Sequence, residues 1–168
     1  MNRGRVPIAS LEVRDVPEMN VAYIRHIGPY AEDVQLFRNL FNKLCKWAEP
    51  RGLMRFPETK LLTIYHDNPE ITDENKLRMD VGITVPADAV ASGEISLVKI
   101  PAGKYAVAHF EIDSDQYGDA WNALCGEWLP ESGYQPDDRP CFEVNLNEPE
   151  EHPAGKHIID IYEPVKPL

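Results

Sequence analysis

Leu61-Leu62-Thr63-Ile64-Tyr65-His66-Asp67-Asn68-Pro69-Glu70 and Cys141-Phe142-Glu143-Val144-Asn145-Leu146-Asn147-Glu148-Pro149-Glu150 are one segment written twice, 80 residues apart. Each is a strand-like run closed by a Pro-Glu turn. The register holds further out. Phe41-Asn42-Lys43-Leu44-Cys45 matches Trp121-Asn122-Ala123-Leu124-Cys125, and Pro50 matches Pro130. Lys76 and Asp80 match Lys156 and Asp160 at the same offset. Such self-similarity means one supersecondary unit used twice.

Each copy reads as strand–helix–strand–strand. The strands fall at about 19–27, 60–66 and 77–85, then at about 103–111, 140–146 and 157–163. Helices are expected over about 31–48 and 115–129. Val34, Phe37, Leu40, Phe41, Leu44, Cys45 and Ala48 share one face of the first. Tyr117, Trp121, Leu124, Cys125 and Trp128 have the same spacing in the second. Pro50 and Pro130 stand where these helices should stop. A further strand is expected at about 8–14 and a linker at about 87–102. The fold class is α+β, one domain over residues 1–168. Repeat 1 covers about 8–86 and repeat 2 about 103–165. Duplicated strand–helix–strand–strand units would form a pseudo-two-fold antiparallel sheet with two main helices and a central groove. Such a seam is a natural ligand site.

The chain of 168 residues carries a net charge of −11. Residues 1–86 hold 12 basic and 12 acidic side chains, so the entire excess lies in the second half. A nucleic-acid binder needs a basic face, so direct nucleic-acid binding is not expected. An acidic balance suits a cationic ligand or a basic partner. No apolar run approaches a membrane span, and no apolar segment follows the basic start, so no signal peptide is read. Cys45, Cys125 and Cys141 have no metal-type spacing and read as free thiols of a cytoplasmic protein. His26, His66, His109, His152 and His157 show no zinc spacing. No phosphate-binding, dinucleotide-binding or nucleophile-elbow motif is present, so neither cofactor nor metal is expected.

The candidate chemistry lies in the matched strands. Leu62 and Ile64 share a parity with Phe142, Val144 and Leu146, giving an apolar face. The other parity carries Thr63 and Tyr65 in one copy, Glu143 and Asn145 in the other. Glu143 is a poor strand former in mid-strand. Either it faces water or pairs with a Lys or Arg, or it is a recessed carboxylate awaiting a cation. Aromatic faces beside a carboxylate suit an organic cation. Tyr65 has the parity of Glu143's counterpart. Tyr30 lines the groove or staples the helix entry. On spacing alone Trp121 and Trp128 read as core. Tyr105 and Tyr162 complete the aromatic set, and the strand at 103–111 shows no clear face. Cys45 and Cys125 lie on buried helix faces and are not read as nucleophiles. Lys76, Asp80, Lys156 and Asp160 are read as framework, as Lys–Asp pairs or turn anchors.

Several stretches resemble the GyrI-like small-molecule-binding family, which includes effector-binding domains of AraC-type and MerR-type regulators and the bacterial DNA gyrase inhibitor. They are Tyr23-Ile24-Arg25-His26-Ile27-Gly28-Pro29-Tyr30, Ile64-Tyr65-His66-Asp67-Asn68-Pro69-Glu70 and Lys76-Leu77-Arg78-Met79-Asp80. In the second copy they are Gly103-Lys104-Tyr105-Ala106-Val107, Glu127-Trp128-Leu129-Pro130 and Cys141-Phe142-Glu143-Val144-Asn145-Leu146-Asn147. The resemblance implies a groove between the halves. It also implies that Glu143, on the penultimate strand, meets cationic or amphipathic drugs. Ligand contacts are then expected from Glu143, Tyr65, Trp121, Trp128, Tyr105, Tyr162, Tyr30 and Asn145. Fewer residues precede the first strand than a helix-turn-helix needs, so the expectation is a free-standing module or an excised regulator fragment. The leading expectation is a binding module for hydrophobic or amphipathic organic cations. The alternatives are inhibition of a protein partner, gyrase or the transcription machinery, and Glu143-dependent hydrolysis of reactive xenobiotics.

Overall fold

The apolar stripe of the first helix needs a sheet face to cover, and the sequence places strands on both sides of it. The computed structural model describes residues 6–31 and 33–168. The basic start, residues 1–5, lies outside the described residues. In chain order the main elements are β1 (Ser10–Val16), β2 (Met19–Ile27), α1 (Val34–Ala48), β3 (Leu61–Tyr65), β4 (Arg78–Val85) and β5 (Ser96–Ile100). They continue as β6 (Gly103–Ile112), α2 (Tyr117–Trp121), β7 (Tyr134–Pro136), β8 (Cys141–Asn145) and β9 (His157–Pro167). The fold is α+β with antiparallel strands and two principal helices, as expected from the repeat.

The chain divides into two compact units, one of Glu18–Pro101 and one of Met1–Pro17 with Ala102–Leu168. In the first, the strand order is β3-β4-β2-β5. In the second it is β1-β6-β9-β8, with short β7 against the end of β9. The stretch expected as a linker therefore contains β5. Val98 of β5 pairs with Val21, and Leu97 with Ala22. The strand leading into each copy joins the sheet of the other copy: β1 precedes β2 but pairs with β6, and β5 precedes β6 but pairs with β2. Hydrophobic periodicity identifies a strand and says nothing of its neighbour.

α1 starts three residues later than the spacing alone predicts, because Asp33 caps it. The Asp33 carboxylate accepts from the Leu36 amide at 3.1 Å. Asp33→Ala is expected to cost about 1 kcal/mol in a denaturant melt. An unchanged midpoint would show that this cap contributes nothing. After Ala48 a 3₁₀ turn carries Pro50, and Gly52 closes it at φ 69°. Leu40, Leu44 and Ala48 cover Ala22, Ile24, Met79, Val81 and Ile83.

The second helix departs from expectation. Only Tyr117–Trp121 is α-helical; Asn122–Trp128 continues as a π-helix and Leu129–Glu131 as a 3₁₀ turn. A π turn holds more residues than an α turn, so the side chains shift in phase beyond Trp121. Ala120, Ala123, Leu124 and Leu129 cover Ala106, Ala108, Phe110, Ile112, Ile159 and Ile161.

Leu62, Ile64, Phe142 and Val144 are buried, but so are Thr63 and Glu143 between them, so β3 and β8 are covered on both faces; Leu146 lies beyond β8 and is exposed. β6 showed no clear face because both its faces are covered. Tyr105 and Val107 are buried on one side, Ala106, Ala108 and Phe110 on the other. The two recurring aspartates are framework, but not through the repeated lysines. Asp80 is held by Arg25 at 2.8 and 3.1 Å and lies 2.6 Å from His66. Asp160 lies 2.7 Å from His109, and Lys156 pairs with Asp113 at 2.8 Å. His109 and Arg25 face their aspartates directly across the strand pair, which a lysine in the preceding turn does not.

Candidate functional site

In the unit carrying β6, β8 and β9, alternate residues point under the second helix. The register puts Glu143 opposite Ile161 and Asn145 opposite Ile159. It also puts Ala106 opposite Glu163, Ala108 opposite Ile161, and Ile112 opposite His157. Glu143, Asn145, Glu163 and His157 therefore share the face that the helix covers. Glu143 is 2% exposed. Trp121 reaches down from the helix, and its Nε1 donates to Glu143 Oε1 at 2.9 Å.

The copies explain how this face became polar. At the 80-residue offset, Thr63 is replaced by Glu143, Ile83 by Glu163, Phe37 by Tyr117 and Phe41 by Trp121. Ile83 is a core residue of its own unit. The second copy thus introduces acids on the strands and aromatic rings with polar ends on the helix above them. A Trp N–H over a buried carboxylate answers part of its desolvation cost.

Other groups line the same layer. Tyr117 Oη and His157 Nδ1 are 2.6 Å apart, and the rings meet edge to face. Burial lowers the His157 pKa, favouring the neutral ring. Burial, and after it the charge of Glu143, pushes the Tyr117 phenol far up, so it stays protonated. Burial raises the Cys125 thiol, and it pushes the Cys141 thiol up to about 12. Both remain thiols at neutral pH, which suits neither nucleophilic attack nor metal binding. Among the described residues, no cluster of three His, Cys, Asp or Glu is arranged to hold a metal ion. No helix among them is long and apolar enough to cross a membrane.

Of the residues singled out in the sequence, the structure brings together Glu143 and Trp121, with Asn145 on the same face. Tyr105 and Tyr162 lie on the opposite face of these strands. Tyr162 stacks on Phe142 at 4.6 Å, Tyr105 meets both rings edge-on, and Arg14 donates to the Tyr162 hydroxyl at 2.8 Å. The cause is parity: both occupy strand positions one residue out of phase with Ala106 and Glu163. Trp128 stacks on Tyr134, with centroids 6.5 Å apart. Tyr30 and Tyr65 belong to the other unit, 5.4 Å apart and packed against its helix-covered core. Glu163 was missed by sequence reading. The comparison that picked out Glu143 would have found it, because Ile83→Glu163 is the same kind of change at the same offset.

The GyrI-like small molecule binding domain model matches residues 10–166. A DNA gyrase inhibitor of Yersinia enterocolitica is 36% identical over 150 residues, covering 87% of this chain and 90% of that protein. The crystal structure of the EcmrR C-terminal domain superposes with a TM-score of 0.76 at 20% identity, covering 95% of this chain and 98% of that one. In the EcmrR–DNA complex the match spans 58% of the EcmrR chain. SAV2435 bound to tetraphenylphosphonium superposes with a TM-score of 0.61 at 13% identity, covering 94% of each chain. The protein belongs to the GyrI-like small-molecule-binding domain family.

Proposed function

We propose that the protein is a binding module for hydrophobic organic cations, with Glu143 as counter-ion and Trp121 as an aromatic wall. The observation that carries this reading is a carboxylate 2% exposed in mid-strand, hydrogen-bonded by an indole at 2.9 Å. A carboxylate so placed is desolvated, and a cation arriving beside it meets little competing water. The indole adds a π face for the cation's apolar body. Asn145, on the same face, supplies a polar contact. A fold neighbour, SAV2435, carries tetraphenylphosphonium, a cation of this class.

The test is a thermal-shift titration with tetraphenylphosphonium against neutral triphenylphosphine oxide. At a ligand concentration 100 times Kd, binding stabilises by about 2.7 kcal/mol. The cation should give the larger shift, and Glu143→Gln should lose most of it. Equal shifts for wild type and variant would remove Glu143 as counter-ion. Equal shifts for cation and oxide would remove the preference for charge.

A second reading, inhibition of DNA gyrase, is favoured by the 36% identity to a DNA gyrase inhibitor across nine-tenths of that protein. The acidic second half would then meet a basic target surface. Inhibition of supercoiling that weakens steeply with salt would support it. Unchanged supercoiling at low salt and excess protein would end it.

A further inference from the structure

The layer beneath the second helix holds a second acid that the reading above does not use. Glu163 is half-buried on β9, on the same face as Glu143. Glu143 faces Ile161 across the strand pair, and Glu163 stands two residues further along, so the two acids are diagonal neighbours. At that position side chains across a sheet reach one another. Cys141, two residues before Glu143 on β8, shares its face, and the charges of both carboxyls raise its thiol. Both acids are departures from the first copy, at Thr63 and Ile83, and both fall on one face of one unit.

The groups around Glu163 come from every packed element. From the helix, the Cys125 thiol hydrogen-bonds it. From β8 come Cys141 and Glu143 on the same face, while the Tyr105 phenol of β6 lies on the opposite face and feels Glu163 only through its charge. The nearby cations are engaged elsewhere: Lys104 on β6 lies 3.5 Å from Asp15, and Arg139 pairs with Asp137 at 2.7 Å. On its own strand, Lys166 acts on Asp137. On the covered face the neighbourhood of Glu163 is thus made of thiols and another acid.

We propose that Glu163 is a second, proton-holding carboxyl of the site at Glu143, so that the site admits an organic cation in exchange for a proton. This rests on the cation-binding reading of that site. Burial holds the Glu163 carboxyl up to about 7, against a smaller opposing effect from the Cys125 hydrogen bond. Around neutrality Glu163 is therefore partly protonated. A bound cation favours the charged form, so the Glu163 O–H bond breaks, its electron pair stays on the carboxylate and the proton leaves to solvent. The complex holds fewer protons than the free protein, so cation affinity must rise with pH. If the cation keeps Glu163 charged throughout this range, affinity rises about tenfold between pH 6 and pH 8.

The experiment is isothermal calorimetry of the full chain with tetraphenylphosphonium, whose charge is the same at every pH used. It is run at pH 6, 7 and 8 in two buffers of different protonation enthalpy. Wild type is expected to bind about tenfold more tightly at pH 8 than at pH 6, releasing close to one proton at the lower pH. Glu163→Gln should bind with a flat pH profile and no proton release. Glu163→Ile, which restores the first copy's residue, should behave likewise and guards against misfolding of the glutamine variant. A flat wild-type profile, or a slope that survives in both variants, overturns the exchange and leaves the binding reading standing. Absence of binding by wild type at every pH removes the binding reading and the exchange with it.

Discussion

Phe142→Ala is expected to lower the unfolding free energy by about 3–5 kcal/mol. Phe142 is fully buried on the face of β8 opposite Glu143. Its ring lies parallel to Tyr162 at 4.6 Å, with Tyr105 edge-on at 5.7 Å. Truncation removes one ring of a three-ring cluster and leaves a void whose lining loses dispersion contacts on one side. The neighbours on that face, Tyr105 and Val144, are themselves buried and have little room to collapse inward. For a domain of this size the melting temperature should fall by roughly 10–15 °C. Leu146→Ala, at an exposed position just beyond the same strand, should change it by about 1 °C or less. If the two variants melted alike, the cluster would not be the anchor of β8. Because Phe142 points away from Glu143, tetraphenylphosphonium should still stabilise the Phe142→Ala protein well below its lowered midpoint.

The second large effect is expected at Asp80. Its side chain is 2% exposed, whereas Arg25 is 40% exposed and His66 25%. Removing the arginine therefore leaves a buried carboxylate with only His66 of its two partners, while removing the aspartate frees two groups that reach water. Arg25→Met should cost about 3 kcal/mol at pH 7, toward the lower end for a buried pair because Arg25 is part-solvated. The double variant Arg25→Met/Asp80→Leu should recover part of that loss, since no buried carboxylate is left at position 80. Burial alone would raise the Asp80 pKa, but the His66 and Arg25 hydrogen bonds overcome it and hold the group below its ordinary value. A carboxylate depressed in this way contributes stability above its unfolded pKa and loses it as pH falls through the folded one. The gap between wild type and Arg25→Met should accordingly narrow as the pH is lowered toward about 3. Urea melts at several pH values measure this. A gap that is constant with pH would mean that Arg25 acts through packing and not through Asp80.

Much of this was readable before any coordinates. The offset of 80 residues tied Leu62, Thr63 and Ile64 to Phe142, Glu143 and Val144, and all six are buried. α1 was readable because its apolar spacing is unbroken, though its start was read three residues early because the Asp33 cap went unused. The helix over 115–129 was harder, since apolar spacing does not distinguish an α turn from the π turns at Asn122–Trp128. β5 was hidden in a stretch with turn residues at Gly93 and Pro101, and only its pairing with β2 reveals it. The aromatic residues were the least legible. A tyrosine's identity does not say which side of a strand it occupies, and β6, covered on both faces, offers no alternation to settle it.

By itself, then, the sequence determined the duplication, the α+β class, the parity of the matched strands and the placing of an acid at 143 in an apolar strand. These depend on local periodicity and on comparison of one copy with the other, both of which are written along the chain. Only the tertiary structure decided that Trp121 donates to Glu143, that Tyr105 and Tyr162 stand on the other face, and that Glu163 lies one diagonal step from Glu143. Those facts depend on strand register and helix phase. Both are set by non-local pairing and packing, which leave no period in the sequence.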